Sequence, residues 1–582
     1  MSDKRPKILP NLVATAIESA PARVRRRLDR SPNAASEWIW NSGKESWTVD
    51  AGGETVAIPR EDVHSLDQLK CTCLLSPNCF HVLACLTTLE IANDVETDNS
   101  EVPSIDERNA ISESLRPSDK HKKAAKFMTR SISQILQIGI ANAGVVAQSG
   151  LLRAVHQCRA EGLHRASSIG LRVATGITQF RSRSRDSDPE QLAMDVADLL
   201  EITQRVVNQP EVDAVWIGTA RRQQSPVRPR KLHGLLAEPI VTRSGFGGAV
   251  VYFLGEDDQI YTASDVRPGN AQLARDAYHG GIDIGSLTQP AKQLSRGLYL
   301  GTDLTASLDG RLGRGKKVKI VEQGQSSWES DAIQRRFSRP LVDQWNTIYD
   351  SAALPNDLRP AGWDFAFLTG VVVRAFGPSL LFQQDMEPTP IRLEVENDHD
   401  ELLFRHNLRQ LSYASGLKLQ IIARINLSDP TIVFPLAMVP LRPEEKESAA
   451  LELPKRLNDR VFLGFDELHP KHLLNRKNSP TVTDESTFEQ SDDPLAALHR
   501  RWIAKMLAGE FSQRQSRANS IATESAALNR NGFATAASLL DSLSRFQSDS
   551  QTNIVEEFLV VAVYLKHSRY ELAKTKAIHS LS

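Results

Sequence analysis

The stretch CTCLLSPNCFH, residues 71–81, places three cysteines and one histidine within eleven residues. Cys71 and Cys73 form a C-x-C pair, five residues follow, and Cys79 and His81 form a C-x-H pair. Structural Zn²⁺ sites prefer four thiolate and imidazole ligands in a tetrahedron. In an extended segment, alternate side chains point to the same side, and the proline-asparagine pair in the loop turns the chain back. The spacing therefore predicts one structural zinc ion held by these four side chains.

A strand is expected to enter the first ligand pair, and a helix to leave the second. Val82, Leu86 and Leu89 recur at helical spacing, and no Gly or Pro interrupts them. Cys85, one helical turn after the histidine, is an alternative ligand. Four ligands already complete a structural zinc shell, so a buried apolar thiol is its expected role. His64 is expected in an exposed loop.

An aromatic hairpin is predicted just upstream of this unit. Trp38, Trp40 and Trp47 lie at alternating positions of two short β-like runs, with Gly43 at the turn between them. This pattern favours a small core over a platform for stacking bases. Residues 23–30, which precede the hairpin, are rich in arginine.

Composition limits the class of protein. The chain has 582 residues, enough for roughly three or four domains. A hydrophobic content of 41%, a charged content of 24% and a net charge of -1 indicate a globular protein with no overall bias toward polyanions. Four of the five cysteines fall between Cys71 and Cys85, so a disulfide framework is not expected.

The cysteine pattern fits a reducing compartment, and we expect a cytoplasmic protein. The first residues, MSDKRPKILPNLV, contain no apolar core of a signal peptide, and the longest aliphatic run, residues 558–565, is far too short to cross a bilayer. Neither secretion nor membrane insertion is expected.

Charge is distributed unevenly along the chain. Residues 61–110 hold ten acidic and two basic residues, and residues 71–89 hold no Asp, Glu, Lys or Arg. DNA binding relies on Lys and Arg that neutralise phosphates. The cysteine-rich unit is therefore expected to contact protein or to be purely structural.

The following segment, residues 116–185, has thirteen basic and two acidic residues and reads as helical. Arg153, Arg159, Arg165 and Arg172 fall mostly off the apolar face, which includes Cys158. Two interpretations stay open. The arginines form a solvated or acid-neutralised face, or they contact nucleic acid. Further on, Asp188 and Pro189 predict the start of another amphipathic helix.

The middle of the chain is β-rich. Residues 250–266 predict a hairpin, and residues 212–218 are among the other short runs that read as strands. A sheet, a sandwich and a barrel all fit. GRLGRGKKVKI, residues 310–320, lacks the Gly-Lys-Ser/Thr and helix of a phosphate-binding loop. It predicts a tight turn, with anion binding by its basic residues as the alternative.

Helical patterns return after residue 493, and the last two, residues 554–566 and 568–577, read as separate members of antiparallel helix pairs. The predicted fold class is multidomain α+β. The predicted domains are a basic segment (1–34), a zinc unit (35–92), an acidic linker (93–119), a basic helical domain (120–208), a β-rich domain (211–445), a linker (446–493) and a helical C-terminal region (494–582).

The C-x-C and C-x-H pairs, with a hairpin before them and a helix after them, resemble the SWIM zinc finger, a ββα module. The resemblance covers residues 35–92 and implies that Cys71, Cys73, Cys79 and His81 are the zinc ligands. This sequence departs from the pattern in its loop, LLSPN, which supplies no basic residue.

The order of the regions is also similar to that of bacterial SWIM proteins that accompany MoxR-type AAA+ ATPases and von Willebrand A proteins. That resemblance implies an adaptor or substrate-recognition subunit whose partner hydrolyses ATP. The sequence itself has no nucleotide motif, G-x-S-x-G elbow or H-E-x-x-H motif. We therefore expect a non-catalytic zinc-stabilised adaptor for other proteins, with nucleic-acid binding by residues 116–185 as the alternative.

Overall fold

The structure is a computed structural model of the full chain. It describes residues 5–43, 46–91, 114–184, 187–218, 224–242, 245–315, 317–354, 358–385, 390–442, 449–457, 460–475, 493–509, 518–544 and 551–581. Most of the predicted acidic linker, 93–119, and much of the predicted linker 446–493 lie outside the described residues.

The N-terminal region combines two helices, a small sheet and a third helix. The elements are α1 (Pro10–Ser19), α2 (Ala22–Arg30), β1 (Ile39–Ser42), β2 (Ser46–Asp50), β3 (Thr55–Pro59), β4 (Lys70–Cys71) and α3 (Phe80–Thr88). Among the described residues, β1, β2, β3 and β4 pair in that order, each antiparallel to the next.

Alternating burial explains this sheet. Trp47 and Val49 of β2 and Val56 and Ile58 of β3 are buried, whereas the residues between them are only half-buried. Gly43 ends the first strand, where its amide donates to the Ser46 carbonyl, so the predicted hairpin is confirmed. The predicted order of strand, ligand loop and helix is confirmed as well.

A helical region follows. Its elements are β5 (Ser114–Leu115), α4 (Asp119–Ile138), α5 (Val145–Ala160), α6 (His164–Arg181), α7 (Pro189–Asn208), β6 (Val212–Asp213) and α8 (Ala214–Ile217). Asp188 caps α7 as predicted, because its carboxylate accepts hydrogen bonds from the amides of Glu190 and Gln191. The predicted strand over residues 212–218 is mostly wrong. Asp213 caps a helical turn there by accepting from the Val215 amide.

The β-rich region contains most of the strands. Its elements are β7 (Ser225–Pro226), β8 (Lys231–Val241), β9 (Phe246–Gly255), β10 (Ile260–Pro268), α9 (Gln272–His279), β11 (Gly281–Ile284), β12 (Leu287–Pro290), α10 (Ala291–Leu294), β13 (Gly297–Thr302), β14 (Thr305–Ala306), β15 (Lys319–Gln325), α11 (Asp331–Phe337), α12 (Leu341–Ala352), β16 (Phe365–Phe376), β17 (Ser379–Gln384), β18 (Ile391–Leu393), α13 (Phe404–Leu411), β19 (Lys418–Ile425), β20 (Ile432–Pro440), β21 (Ala450–Leu451), β22 (Val461–Phe462) and β23 (Leu473–Leu474).

Two parts of this region share one topology. In residues 231–325, which we call repeat A, the described strands pair in the order β10-β9-β8-β13-β15. In residues 365–440, repeat B, they pair in the order β18-β17-β16-β19-β20. In both repeats the first strand lies at the centre. The third strand connects to the fourth through α13 in repeat B, and through α9, the β11–β12 hairpin and α10 in repeat A. The same order of five paired strands, with a helical connection after the third, therefore occurs twice.

Repeat B closes on itself. Its third strand, β18, pairs in parallel with its fifth, β20, through Arg392 with Ile432 and Leu393 with Val433. This pairing makes a barrel and decides among the alternatives that the sequence left open. In repeat A, the third strand instead makes a parallel bridge between Thr262 and Arg311, in the chain that precedes β15.

The connection over residues 307–318 differs from the tight turn predicted for the Gly-rich stretch. Gly310 has a φ of +82° and closes a turn on the Ser307 carbonyl. The chain then runs beside β10, and a second turn joins Gly315 to Val318 before β15 begins. The connection between β14 and β15 therefore contains two tight turns rather than one, and the chain between them is held by the neighbouring strand β10.

The C-terminal region is helical, as predicted. Its elements are α14 (Ala496–Ala508), α15 (Ala518–Arg530), α16 (Ala534–Ser544) and α17 (Gln551–Leu581). The two segments expected as separate helices form the single helix α17. Neither a Gly nor a Pro lies between them to end it.

The chain divides into two compact units. Unit 1 comprises residues 1–101, 106–222 and 492–566, and unit 2 comprises residues 102–105, 223–491 and 567–582. The mixed α+β fold, with a small N-terminal sheet, helices, a β-rich middle and C-terminal helices, is as the sequence predicted. In the part of the chain that the structure describes, no helix is both long and apolar enough to span a bilayer.

Candidate metal centre

The fold of unit 1 brings the four predicted ligands together. One ligand atom from each of Cys71, Cys73, Cys79 and His81 lies within 4.8 Å of the other three. Cys71 ends β4, Cys73 follows it in the loop, and the other two side chains come from the start of α3. The end of a strand and the start of a helix therefore supply two ligands each.

The distances suit one tetrahedral zinc ion. Cys71 Sγ and His81 Nδ1 are 3.7 Å apart. With Zn–S of about 2.3 Å and Zn–N of about 2.0–2.1 Å, tetrahedral geometry separates these two atoms by about 3.6 Å. A Cys₃His donor set is also one that structural zinc commonly uses. The residues present therefore fit the predicted ion.

Cys79 has two roles at this centre. Its side chain is 1% exposed and precedes the first residue of α3. Its Sγ accepts a hydrogen bond from the Val82 amide at 3.3 Å, so it caps the helix. In the loop, the Cys71 amide donates to Ser76 Oγ at 3.1 Å. Backbone hydrogen bonds therefore orient both ends of the ligand loop.

Burial controls protonation in the absence of metal. It raises the pKa of Cys79 to about 12 and raises the pKa of Cys71 above its ordinary value. Burial also lowers the pKa of His81, and the charge of Arg27 lowers it further. Near neutral pH the two thiols are therefore protonated and the imidazole is neutral. A bound zinc ion has to displace the thiol protons.

The other cysteines and His64 occupy the positions predicted for them. Cys85 and Cys158 are fully buried, and burial raises the pKa of each to about 12. Cys158 Sγ donates to the Ala124 carbonyl at 3.8 Å, and Cys85 is not part of the ligand group. His64 is exposed.

A layer of residues behind the ligands was not predicted from the sequence. The Arg27 guanidinium lies 4.1 Å from the centroid of the Phe80 ring. Trp38 packs against both Phe80 and His81, with ring centroids 6.1 and 6.0 Å apart. The contact between Arg27 and Phe80 was not predicted because the two residues are far apart in the sequence. The arginine-rich run at 23–30 was the only sign of it. These rings pack against the His81 side of the ligand group.

The N-terminal residues belong to the same folded unit. Ile8 makes parallel bridges to both Val63 and Ile91. The Ile8 amide donates to the Glu90 carbonyl at 3.0 Å, and the Val63 amide donates to the Lys7 carbonyl at 2.8 Å. A short extended segment therefore ties the chain start to both sides of the ligand loop.

One of the four arginines singled out in the basic helical segment is buried, and two others are exposed but form ion pairs. Arg165 is 8% exposed, and its Nη1 donates to the Val215 carbonyl at 3.2 Å. Arg172 pairs with the buried Asp195 at 2.9 Å. Arg153 pairs with Glu18, which is on α1. Partners that are distant in sequence therefore pair with some of these arginines, and Arg153 and Arg172 stay exposed.

No protein-family model matches the chain, and a search of curated proteins finds no match.

Proposed function

We propose that residues 35–92 form a SWIM-type zinc finger and that the protein is a non-catalytic adaptor that binds other proteins. The observation that carries this proposal is the exposure of Leu74 and Leu75. Leu74 is fully exposed and Leu75 is 61% exposed, in the loop between the two ligand pairs. Two adjacent exposed leucines on an ordered loop favour an apolar contact with a partner.

The ligand arrangement supports an adaptor. Cys71 and Cys73 hold one end of the loop, and Cys79 and His81 hold the other. Zinc would keep the two leucines in a fixed geometry before a partner arrives, which reduces the entropy lost on binding. No charged side chain lies between residues 71 and 89, so the loop itself supplies no phosphate contact.

The donor set also supports a structural role for the metal. Catalytic zinc sites keep one position open for water or substrate, whereas four protein ligands close the shell. By resemblance to SWIM proteins of similar layout, the proposed partners are a MoxR-type AAA+ ATPase and a von Willebrand A protein. ATP hydrolysis would belong to the ATPase.

Replacing both leucines with serine tests this proposal. We expect Leu74→Ser/Leu75→Ser to weaken binding of the full-length chain to a purified MoxR-type ATPase from the same cells. The loss should be roughly 150-fold or more, because burying two leucines contributes about 1.5–3 kcal/mol each. Fluorescence anisotropy with a labelled chain measures the affinity.

The control is Leu308→Ser, which alters another exposed leucine, one that is 58% exposed and lies in unit 2. It should bind the ATPase like the unaltered chain, and both variants should keep their zinc. Equal affinities for the double variant and the unaltered chain would contradict the role of this loop. The absence of any ATPase binding by zinc-loaded protein would contradict the proposed partner.

A second candidate function is nucleic-acid binding by the helical segment 116–185. One observation favours it. Exposed basic side chains recur along α4 at helical spacing, namely Lys120, Lys123, Lys126 and Arg130. Such a stripe is able to neutralise phosphates. The variant Lys120→Gln/Lys123→Gln/Lys126→Gln tests whether nucleic acid binds this surface of α4 or the basic loop of repeat A.

A further inference from the structure

The shared topology of repeats A and B is that of the OB fold. An OB fold is a five-stranded Greek-key barrel that binds oligomeric ligands on its second and third strands and in the loops joining strands 1 to 2 and 4 to 5. In repeat A, strands 2 and 3 are β9 and β10, and the loop from strand 4 to strand 5 is the chain between β13 and β15. The topology indicates where an OB fold binds its ligand. The class of ligand has to be inferred from the side chains on that face.

The loop at this face of repeat A carries a net positive charge. Residues 303–318, between β13 and β15, contain four basic residues and two acidic ones, Asp303 and Asp309, and Lys319 is the first residue of β15. Of those that the structure describes, Arg314, Lys317 and Lys319 are exposed. This loop is the Gly-rich stretch that lacks the features of a phosphate-binding loop before a helix.

The loop is fixed against the third strand. The Thr262 amide donates to the Gly310 carbonyl at 2.9 Å, and the Leu312 amide donates to the Thr262 carbonyl at 2.8 Å. Arg314 Nη2 donates to the Ser264 carbonyl at 2.7 Å. The guanidinium is therefore held at the edge of β10, within reach of a ligand on its outer face.

The outer face of β9 and β10 is partly apolar beside that guanidinium. Val250 pairs with Ser264, Gly248 with Val266, and Phe246 with Pro268, so these residues share one face of the sheet. Phe246 is 38% exposed and Val266 is 37% exposed. The neighbouring residues of the opposite face form the core, namely Ala249, Val251 and Ala263.

We propose that this face of repeat A binds single-stranded nucleic acid. Single strands bind where cationic side chains follow the phosphates and aromatic or apolar side chains contact the exposed bases. Arg314, Lys317 and Lys319 supply the cations, and Phe246 with Val266 supplies the surface for the bases. A duplex hides the faces of its bases in the stack, so the apolar strip would not be used.

Repeat B is an internal comparison. Its loop between strands 4 and 5 has only six residues, 426–431, and it contains Asp429 rather than a basic run. Asp429 pairs with Arg392 at 3.2 Å and with Lys576 of α17 at 3.0 Å. The cations at this face of repeat B are therefore neutralised from within unit 2, and the proposed site belongs to repeat A.

The experiment measures binding of the full-length chain to a fluorescent oligothymidylate of about 20 nucleotides, long enough for one OB face. Anisotropy titrations are run from about 50 to 200 mM salt. For the unaltered chain we expect log Kd to rise with log salt with a slope of about 2, since each of three phosphate contacts contributes about 0.7.

Two variants separate the phosphate contacts from the base contacts. Arg314→Gln/Lys317→Gln/Lys319→Gln should abolish the salt dependence and most of the affinity. Phe246→Ala should weaken binding roughly 5-fold or more, the cost of one lost stacking contact, and leave the slope unchanged. The three altered cations are exposed, so the thermal unfolding midpoint of the triple variant should match that of the unaltered chain. The Phe246 ring is only 38% exposed, so Phe246→Ala should lower its midpoint somewhat, and circular dichroism at the titration temperature checks that this variant is folded.

The matched control removes the same charge from α4, as Lys120→Gln/Lys123→Gln/Lys126→Gln, and should bind like the unaltered chain. Loss of binding in the α4 variant but not in the loop variant would overturn the proposal and support the second candidate surface. Absence of binding at the lowest salt would overturn it too. So would tighter binding of a duplex of equal length, or a Phe246→Ala variant with unchanged affinity, which would indicate a general polyanion site.

Discussion

A Cys79→Ser chain is expected to lose its stoichiometric zinc, while the cap of α3 survives. Serine is a preferred N-cap residue, so its hydroxyl can accept the Val82 amide hydrogen bond that Cys79 Sγ now accepts. It cannot replace a thiolate in the metal shell. The loss should exceed the roughly 10–100-fold change in metal affinity caused by altering residues behind a ligand, because a ligand itself is removed.

Loss of metal should also unfold the zinc unit, residues 35–92, locally. Binding of structural zinc contributes about 10–16 kcal/mol in small zinc domains, and that energy is also folding energy. Zinc per chain, measured by elemental analysis, and the rate of limited proteolysis after residue 70 together check this expectation. The unaltered chain should hold one zinc ion and resist cleavage there.

Cys85→Ala is the control for Cys79→Ser. It removes a buried thiol from the same helix without touching the ligand group. This variant should keep its zinc and lose only the small stability of the missing sulfur contacts. Full zinc content in Cys79→Ser would refute the ligand assignment. Equal zinc loss in both variants would show that helix packing, rather than coordination, controls the metal content.

Asp466→Ala is expected to destabilise unit 2 by about 3–5 kcal/mol, because it leaves a buried cation without its partner. Arg296 Nη2 donates to Asp466 at 2.6 Å, and the two side chains are 8% and 4% exposed. The same carboxylate accepts from the Tyr278 hydroxyl and from the Phe462 amide, each at 2.9 Å. One substitution therefore removes three buried hydrogen bonds.

Chemical denaturation followed by far-UV circular dichroism measures this loss as a lower midpoint of the transition. The double variant Arg296→Met/Asp466→Leu should recover part of the loss, since apolar side chains of similar size often replace a buried ion pair at little cost. Asp398→Ala, which breaks an exposed pair with Arg405, should leave the midpoint unchanged. A double variant less stable than Asp466→Ala would contradict the unpaired-charge explanation.

Local chemistry explains why the metal centre was predictable. Three of its ligands are cysteines, which otherwise occur only twice in the chain, and all four ligands lie within eleven residues. Chain stiffness over such a short distance allows few arrangements. The cap of α7 and the strand around Trp47 were predictable for the same reason, because each depends on residues only a few positions apart.

Contacts between distant residues were not predictable in this way. Asp29 of α2 accepts a hydrogen bond from the Val145 amide at 2.8 Å and so stabilises the start of α5, which has no cap of its own. A side chain on Gly144 would clash with that carboxylate, which explains the glycine there. Nothing near residue 144 in the sequence indicates an acceptor from residue 29. Burial of Arg165 was missed for the same reason.

The sequence by itself determined the chemistry of this protein: a Cys₃His ligand set, an uncharged loop between its two halves, and a basic Gly-rich stretch at 310–320. Only the tertiary structure decided which surfaces that chemistry serves. It exposed Leu74 and Leu75, gave repeats A and B one strand order, and held Arg314 against β10. The physical reason is the separation in sequence between the residues that interact. The spacing of the ligands is set within a few residues, whereas strand order and burial depend on pairings between residues far apart in the chain.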